Sequence, residues 1–266
     1  MKRKGSIRMS EIPTSVLKRL NSGEEETITL VEILAVDQLK LIQIVFPILK
    51  LQRYVKGIEK NWKREVGPVS FSKRFSLVAG SMLSELDSEK ELEVILGKFK
   101  NHTSDIIRGY GAMLIGNYTD WNIKSKLEKI SDFAIDKHSG VRELAWMSMR
   151  ESFLTETKQG LKLLTKWTSS EDENKRRFAS ELSRPRGVWC RHSELLKQEP
   201  ELGLPILFPL RKDPSRYVQN SVANWLNDAS KSKPDFVREV VSDWLKENEG
   251  KETKYIAKRA LRTVEK

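Results

Sequence analysis

One cysteine, Cys190, and three histidines are the only soft or imidazole ligands in this 266-residue chain. That excludes an internal disulfide and a multi-cysteine metal site. His192 beside Cys190 looks like half of a metal site, but the rest of the chain has little to complete it, so neither metal nor cofactor is expected. Long hydrophobic runs are also missing. The longest apolar stretch, Leu41 to Leu49, is too short to span a bilayer and contains Pro47. The N-terminal MKRKGSIRMSEIP is basic, but no apolar segment follows it directly, so it does not read as a secretory signal. A reducing cytoplasm is the simplest location. There is no phosphate-cradling glycine loop, no nucleophile elbow and no His-Glu-x-x-His helix, which argues against nucleotide hydrolases, α/β-hydrolases and zinc proteases. Alternating apolar and polar runs are absent too, so little β-structure is expected.

What is abundant is positive charge. Lys and Arg number 48 against 37 Asp and Glu, a net charge of +11. Such a balance favours a polyanionic partner, nucleic acid before a membrane surface. The excess is concentrated: between Lys175 and Arg216 the chain carries ten basic residues and five acidic ones.

Nearly every segment reads as a helix of ordinary length between short polar or Pro/Gly breaks. Ser70–Leu86, Glu89–Phe99, Lys124–Ile135, Lys158–Trp167 and Asp235–Leu245 are the clearest. A repeat runs through them. Ser104 to Ala112, His138 to Ala145, Glu173 to Ala179 and Asp213 to Ala223 each place a polar or acidic residue before a helix that opens on an apolar–basic or similar pair. With Arg108, Arg142, Arg177 and Gln219 as equivalents, the spacings are 34, 35 and 42 residues. That period matches two-helix HEAT-type repeats, in which one pair cannot bury its apolar face alone and successive pairs stack. The expectation is an all-α, HEAT-like repeat α-α superhelix, a curved solenoid. It forms one domain over residues 1–266, with residues 1–10 as a disordered basic arm. Val141, Leu144, Ala145 and Ser148 make one core stripe, and Val218, Val222 and Trp225 another.

Fixing the core stripes leaves the other faces to be read. Arg142, Glu143 and Trp146 fall away from the Val141 stripe; Arg177, Glu181 and Arg184 stand one above another; and Asn220, Asn224, Asn227 and Asp228 gather on one face. Asparagine costs roughly 0.5 kcal/mol against alanine inside a helix, so three in one helix suggest a use for their amides. Plainer readings stand beside these. Glu181 fits a surface ion-pair ladder, Trp225 completes an apolar stripe, Trp146 fits core or ligand face equally, and Arg142 and Arg177 occupy a position that is often structural. Pro185 ends a helix and opens a loop, Arg184 to His192, with three arginines and Trp189 around Gly187. Arginines there could hold phosphates and an exposed indole could stack on a base or sugar, or Trp189 could plug a gap between repeats.

Three stretches carry a resemblance: Phe178–Trp189 (FASELSRPRGVW), Asp213–Asp235 (DPSRYVQNSVANWLNDASKSKPD) and Ile12–Gln38. They resemble the AlkC-like branch of the AlkC/AlkD HEAT-repeat DNA alkylation-repair proteins. The resemblance implies a monofunctional glycosylase that removes cationic alkylated purines from double-stranded DNA without flipping the base. It would act on a basic concave surface, as a monomer, with no metal, cofactor or membrane. It places acidic active-site positions on Glu143, Glu181 and Asp228. It also puts Arg177 and Asn224 where the AlkD branch sets an arginine and a tryptophan against DNA. On that footing Arg142, Arg177, Arg184, Arg186, Arg191 and Arg216 would hold the backbone, with Asn224 and Asn227 beside them. Trp189 or Trp146 would lie against the lesion's sugar. The competing expectation is a non-catalytic HEAT-repeat protein that binds branched or damaged DNA.

Overall fold

The computed structural model describes residues 3–65, 71–247 and 250–265, and every regular element among them is helical. In chain order the helices are α1 (Thr14–Ser22), α2 (Leu30–Ala35), α3 (Gln38–Ile48), α4 (Val55–Arg64), α5 (Phe71–Leu83), α6 (Glu89–Lys100), α7 (Asp105–Asn117), α8 (Ile123–Ala134) and α9 (Ser139–Ser148). There follow α10 (Arg150–Thr155), α11 (Thr157–Thr165), α12 (Glu173–Leu182), α13 (Glu194–Gln198), α14 (Leu204–Leu210), α15 (Arg216–Ser230), α16 (Pro234–Glu247) and α17 (Lys251–Ala260). No helix among the described residues is long and apolar enough to cross a membrane. The helices expected from periodicity occur within a few residues of their expected ends; Ser70, the expected first residue of α5, lies outside the described residues. Polar caps set several starts: Asp37, Ser88, Asn122 and Asp172 each accept a backbone N–H from the first turn.

The fold is all-α and built of HEAT-like helix pairs, in two compact units. One comprises Met1–Thr119 with Asp136–Ser148; the other comprises Asp120–Ile135 with Met149–Lys266. In the first unit α5, α7 and α9 pack side by side, and in the second α12, α15 and α17 do so.

The repeat has a hydrogen-bonded signature that corrects the register read from sequence. Before α7, α9, α12 and α15, the side chains of His102, Asp136, Ser170 and Asp213 each accept the N–H two residues on. Six residues after each acceptor, a side chain returns to bond the loop. Arg108 donates to the carbonyls of His102 and Thr103, Arg142 to those of Asp136 and Lys137, and Arg176 to those of Ser170 and Glu171. Gln219 donates to the carbonyl of Asp213. The equivalent in the third repeat is thus Arg176, not Arg177, and the helix starts at Asp105, Ser139, Glu173 and Arg216 recur at 34, 34 and 43 residues. The fork geometry of guanidinium suits it to two adjacent carbonyls, which explains the recurrence. The nine additional residues of the third repeat fall between α12 and α14, where the Pro185 loop lies.

Close approach decides two glycines. A Cβ on Gly116 of α7 would stand 2.2 Å from the Ser148 carbonyl oxygen at the end of α9, and one on Gly203 would stand 2.3 Å from the Trp225 ring. Phe75 and Tyr110 meet at 5.1 Å between ring centroids, and the buried Tyr110 hydroxyl donates to Gln38. The expected core stripes are buried, with Val141, Val218, Val222 and Trp225 inaccessible to solvent.

The beginning of the chain differs from the expected basic arm. From Arg3 onward it lies on α2: Arg3 bonds both Glu25 and Glu32, while the Ser6 and Ile28 N–H groups also donate to Glu32. Glu32 is fully buried, and its four bonds compensate that burial.

Candidate functional site

In the first unit, α9 presents Glu143. The carboxylate is half-buried and accepts the Trp146 indole N–H at 2.7 Å. Residues three apart on a helix are neighbours, so this contact follows from the sequence spacing. Trp146 itself corrects an expectation. Only 2% of it is exposed, so it cannot lie against a sugar and instead acts as an oriented donor to Glu143. The reason is packing: α9 is covered along the Trp146 side as well as along its Val141 stripe. Arg142, expected on phosphate, uses a guanidinium nitrogen in the loop clasp at Asp136 and Lys137.

In the second unit, α12 and α15 bring Glu181 and Asp228 onto one guanidinium. Arg184 donates Nε to Asp228 at 2.8 Å and Nη1 to Glu181 at 3.1 Å. Arg177 lies 3.5 Å from the other Glu181 oxygen, and Lys231 bonds Asp228 at 3.0 Å. Glu181, Arg184 and Asp228 are all buried. Burial opposes the charge on Arg184, but the two carboxylates outweigh it and raise its pKa above that of a free arginine. Three cations thus enclose two anions. Arg184, expected at the backbone, is the centre of this network and is spent on the carboxylates. Arg177 also stacks over Tyr217, 4.2 Å from the ring centroid.

The asparagine face resolves into separate tasks. Asn227 is buried and donates to the carbonyl of Ala260 and to Thr263, fastening the end of α17, so it is not available to DNA. Asn220 accepts from the Tyr255 hydroxyl, and Asn224 accepts from Arg262. The amides therefore have the use that their helix cost suggested, but the use is to hold α17.

The loop after Pro185 has a fixed base and an exposed tip. Trp225 donates its indole N–H to the Ser183 carbonyl, Arg186 bonds Ser232, and Ser193 N–H reaches the Pro185 carbonyl. Arg150, which sequence reasoning missed, closes the base from α10. It donates to the Leu182 carbonyl at 2.6 Å and the Arg191 carbonyl at 2.9 Å. It is 1% exposed, and burial lowers its pKa. Nothing in its sequence neighbourhood distinguishes it from a surface arginine. At the tip, Trp189 is 67% exposed and sits at φ +58, a left-handed conformation costly for a bulky residue. The indole is thus an exposed, strained side chain on an anchored loop. Arg191 beside it is exposed and pairs with Glu151 at 2.9 Å. Arg216, at the start of α15, is exposed and covers the Tyr255 ring.

Comparison with known proteins bears on these groups. The family model described as "DNA alkylation repair enzyme" matches residues 110–264. YhaZ of Bacillus subtilis (strain 168), described as an uncharacterized protein, is 40% identical over 117 residues, which is 44% of this chain and 32% of YhaZ. Among solved structures, the Pseudomonas fluorescens alkylpurine DNA glycosylase AlkC, bound to DNA containing an abasic site analog, superposes with a TM-score of 0.71. Its identity is 24%, covering 98% of this chain and 66% of AlkC. AlkD2 from Streptococcus mutans superposes with a TM-score of 0.62 at 24% identity, over 80% of this chain and 97% of AlkD2. At this identity the structural likenesses speak for the fold.

Proposed function

Because the chain belongs to the DNA alkylation repair enzyme family, we propose that it is a monofunctional DNA glycosylase. Its substrate is a cationic alkylated purine of the 3-methyladenine type in duplex DNA. The observation that carries the reading is the setting of Glu143: a partly exposed carboxylate, oriented by a buried indole N–H, on the face of α9 away from the core stripe. A cationic purine is already a good leaving group. When the C1′–N bond breaks, its electron pair stays with the base, which departs neutral. Positive charge develops on the deoxyribose, and a carboxylate held beside it stabilises that charge. The same group orients a water molecule; its oxygen bonds C1′ and its proton passes by way of the carboxylate to solvent. The base is not flipped out in this proposal, as the resemblance in sequence implies.

In the second unit, Trp189 and Arg191 of the loop meet the duplex, and the Glu181–Arg184–Asp228 network holds the base of that loop. One observation favours the alternative of a DNA binder without chemistry. Both Glu181 and Asp228 are committed to Arg184 and so have little charge to spare for a transition state.

Release of methylated bases from alkylated duplex DNA, measured for the wild type and Glu143→Gln, separates the two. Release by the wild type, reduced on the order of 10²–10³-fold in the variant with DNA binding retained, is the expected result. Salt-sensitive DNA binding without release assigns the protein to the binders.

A further inference from the structure

Helix α17 plays no part in that chemistry, yet it and the turn after it carry two guanidiniums, Arg259 and Arg262, that form no ion pair among the described residues. Two guanidiniums meet the Tyr255 ring, Arg216 at 3.5 Å and Arg259 at 5.5 Å from its centroid. The Tyr255 hydroxyl is held by Asn220 at 2.7 Å. One turn on, Arg262 gives one nitrogen to Asn224 at 3.0 Å and another to the Arg259 carbonyl at 2.7 Å. Every partner here is neutral. Most guanidiniums of this unit are matched: Arg176 to Asp213, Arg184 to Glu181 and Asp228, Arg211 to Glu247 and Arg238 to Asp235. Among the described residues, Arg216, Arg259 and Arg262 have no carboxylate within ion-pairing distance, and Arg259 Nε is buried without any hydrogen-bond partner. Burial and the neighbouring Arg259 charge hold the Arg262 pKa below the ordinary arginine value, against a weaker pull from the Asp228 carboxylate.

Like charges held together by neutral groups are stabilised only when an anion arrives. Guanidinium presents parallel N–H donors that match the oxygens of a phosphate, and an aromatic ring in contact with two of them holds them without consuming those donors. We propose that Arg216, Arg259 and Arg262, set in place by Tyr255, Asn220 and Asn224, form a phosphate seat that grips the DNA backbone. The proposal rests on the reading of the protein as DNA-binding, but not on its being a glycosylase.

The test is binding of an undamaged duplex over a range of salt, comparing the wild type with an Arg259→Gln/Arg262→Gln double variant. Removing one cation from a phosphate lowers the slope of log affinity against log salt by roughly 0.9, so the expected drop is about 1.8. The weakening should be equal for damaged and undamaged DNA, raising the KM of excision and leaving kcat unchanged. An Arg238→Gln/Lys246→Gln double variant removes two cations already paired on α16 and should keep the wild-type slope. An unchanged slope in the α17 variant with excision intact overturns the seat alone. An equal drop in both double variants overturns it in favour of overall charge. Thermal stabilisation by inorganic phosphate that depends on Arg259 and Arg262, with no change in the DNA slope, overturns the backbone assignment in favour of the free anion. A reduced slope in a protein without excision activity upholds the seat and overturns only the glycosylase.

Discussion

Glu143 on α9 and the Glu181–Asp228 pair on α12 and α15 are the same kind of residue in opposite circumstances. Glu143 is partly exposed and takes a neutral N–H from an indole that is itself buried. Glu181 and Asp228 are buried and share one guanidinium, with a second and third cation on their outer oxygens. A carboxylate serves an emerging positive charge only if the substrate can reach it, which partial exposure allows and burial under three cations does not. The comparison therefore divides three residues that look alike in sequence into one candidate for chemistry and two that build the frame.

Substitution at these positions can break that division. The largest effect is expected at Glu143: Glu143→Gln should lose about 3–4 kcal/mol of transition-state stabilisation, with melting temperature and DNA affinity close to wild type. An equal loss of stability would mean that Glu143 is structural. Asp228→Asn should behave in the reverse way. Removing one partner of a buried ion pair costs about 3 kcal/mol, so denaturant unfolding should shift before any effect on excision is read. If Asp228→Asn is fully stable and inactive, the division between the two regions is wrong.

Two smaller effects sharpen it. Trp189→Ala should weaken DNA binding by about 1–3 kcal/mol with no change in melting temperature, since the side chain is exposed and packs on nothing it stabilises. Arg150→Met should loosen the loop base, increase hydrogen exchange across residues 186–191, and reduce binding no further once Trp189 is already alanine. Additive losses in the double variant would show that Arg150 does not act through the loop tip.

The smallest effect is a dependence on pH. Burial, with the nearby Arg108 charge, holds the His102 pKa below its ordinary 6.5, and the neutral ring accepts the Ser104 N–H. The folded state binds this proton less readily than the unfolded chain. Stability from His102 is therefore complete above about pH 6.5 and is lost as pH falls through the lowered folded value. His102→Asp, which places there the residue found at positions 136 and 213, should flatten that part of the stability curve in acid denaturation.

Much of the fold was legible. Apolar spacing in stretches such as Val218, Val222 and Trp225 marks both the helix and its buried side, because a 3.6-residue period leaves one face to cover. The repeat was also visible, though its register slipped by one residue at Arg177. Two consecutive arginines look equivalent on paper, and only the bonds from Arg176 to the loop carbonyls tell them apart. The site was less legible. Trp146 and Trp189 are the same residue type in plausible positions, yet one is buried and the other exposed.

By itself, the sequence determined local matters: which segments are helices, where a basic excess lies, and that a proline-led loop interrupts the third repeat. These depend on neighbours a few positions apart. Tertiary structure alone decided that Arg184 belongs to Glu181 and Asp228, that Arg150 closes a loop some forty residues later in the chain, and that Arg216 and Arg262 face a common helix surface. The physical reason is that charge pairing and burial depend on distances in space, and residues far apart in sequence carry no local mark of the partner that will answer them.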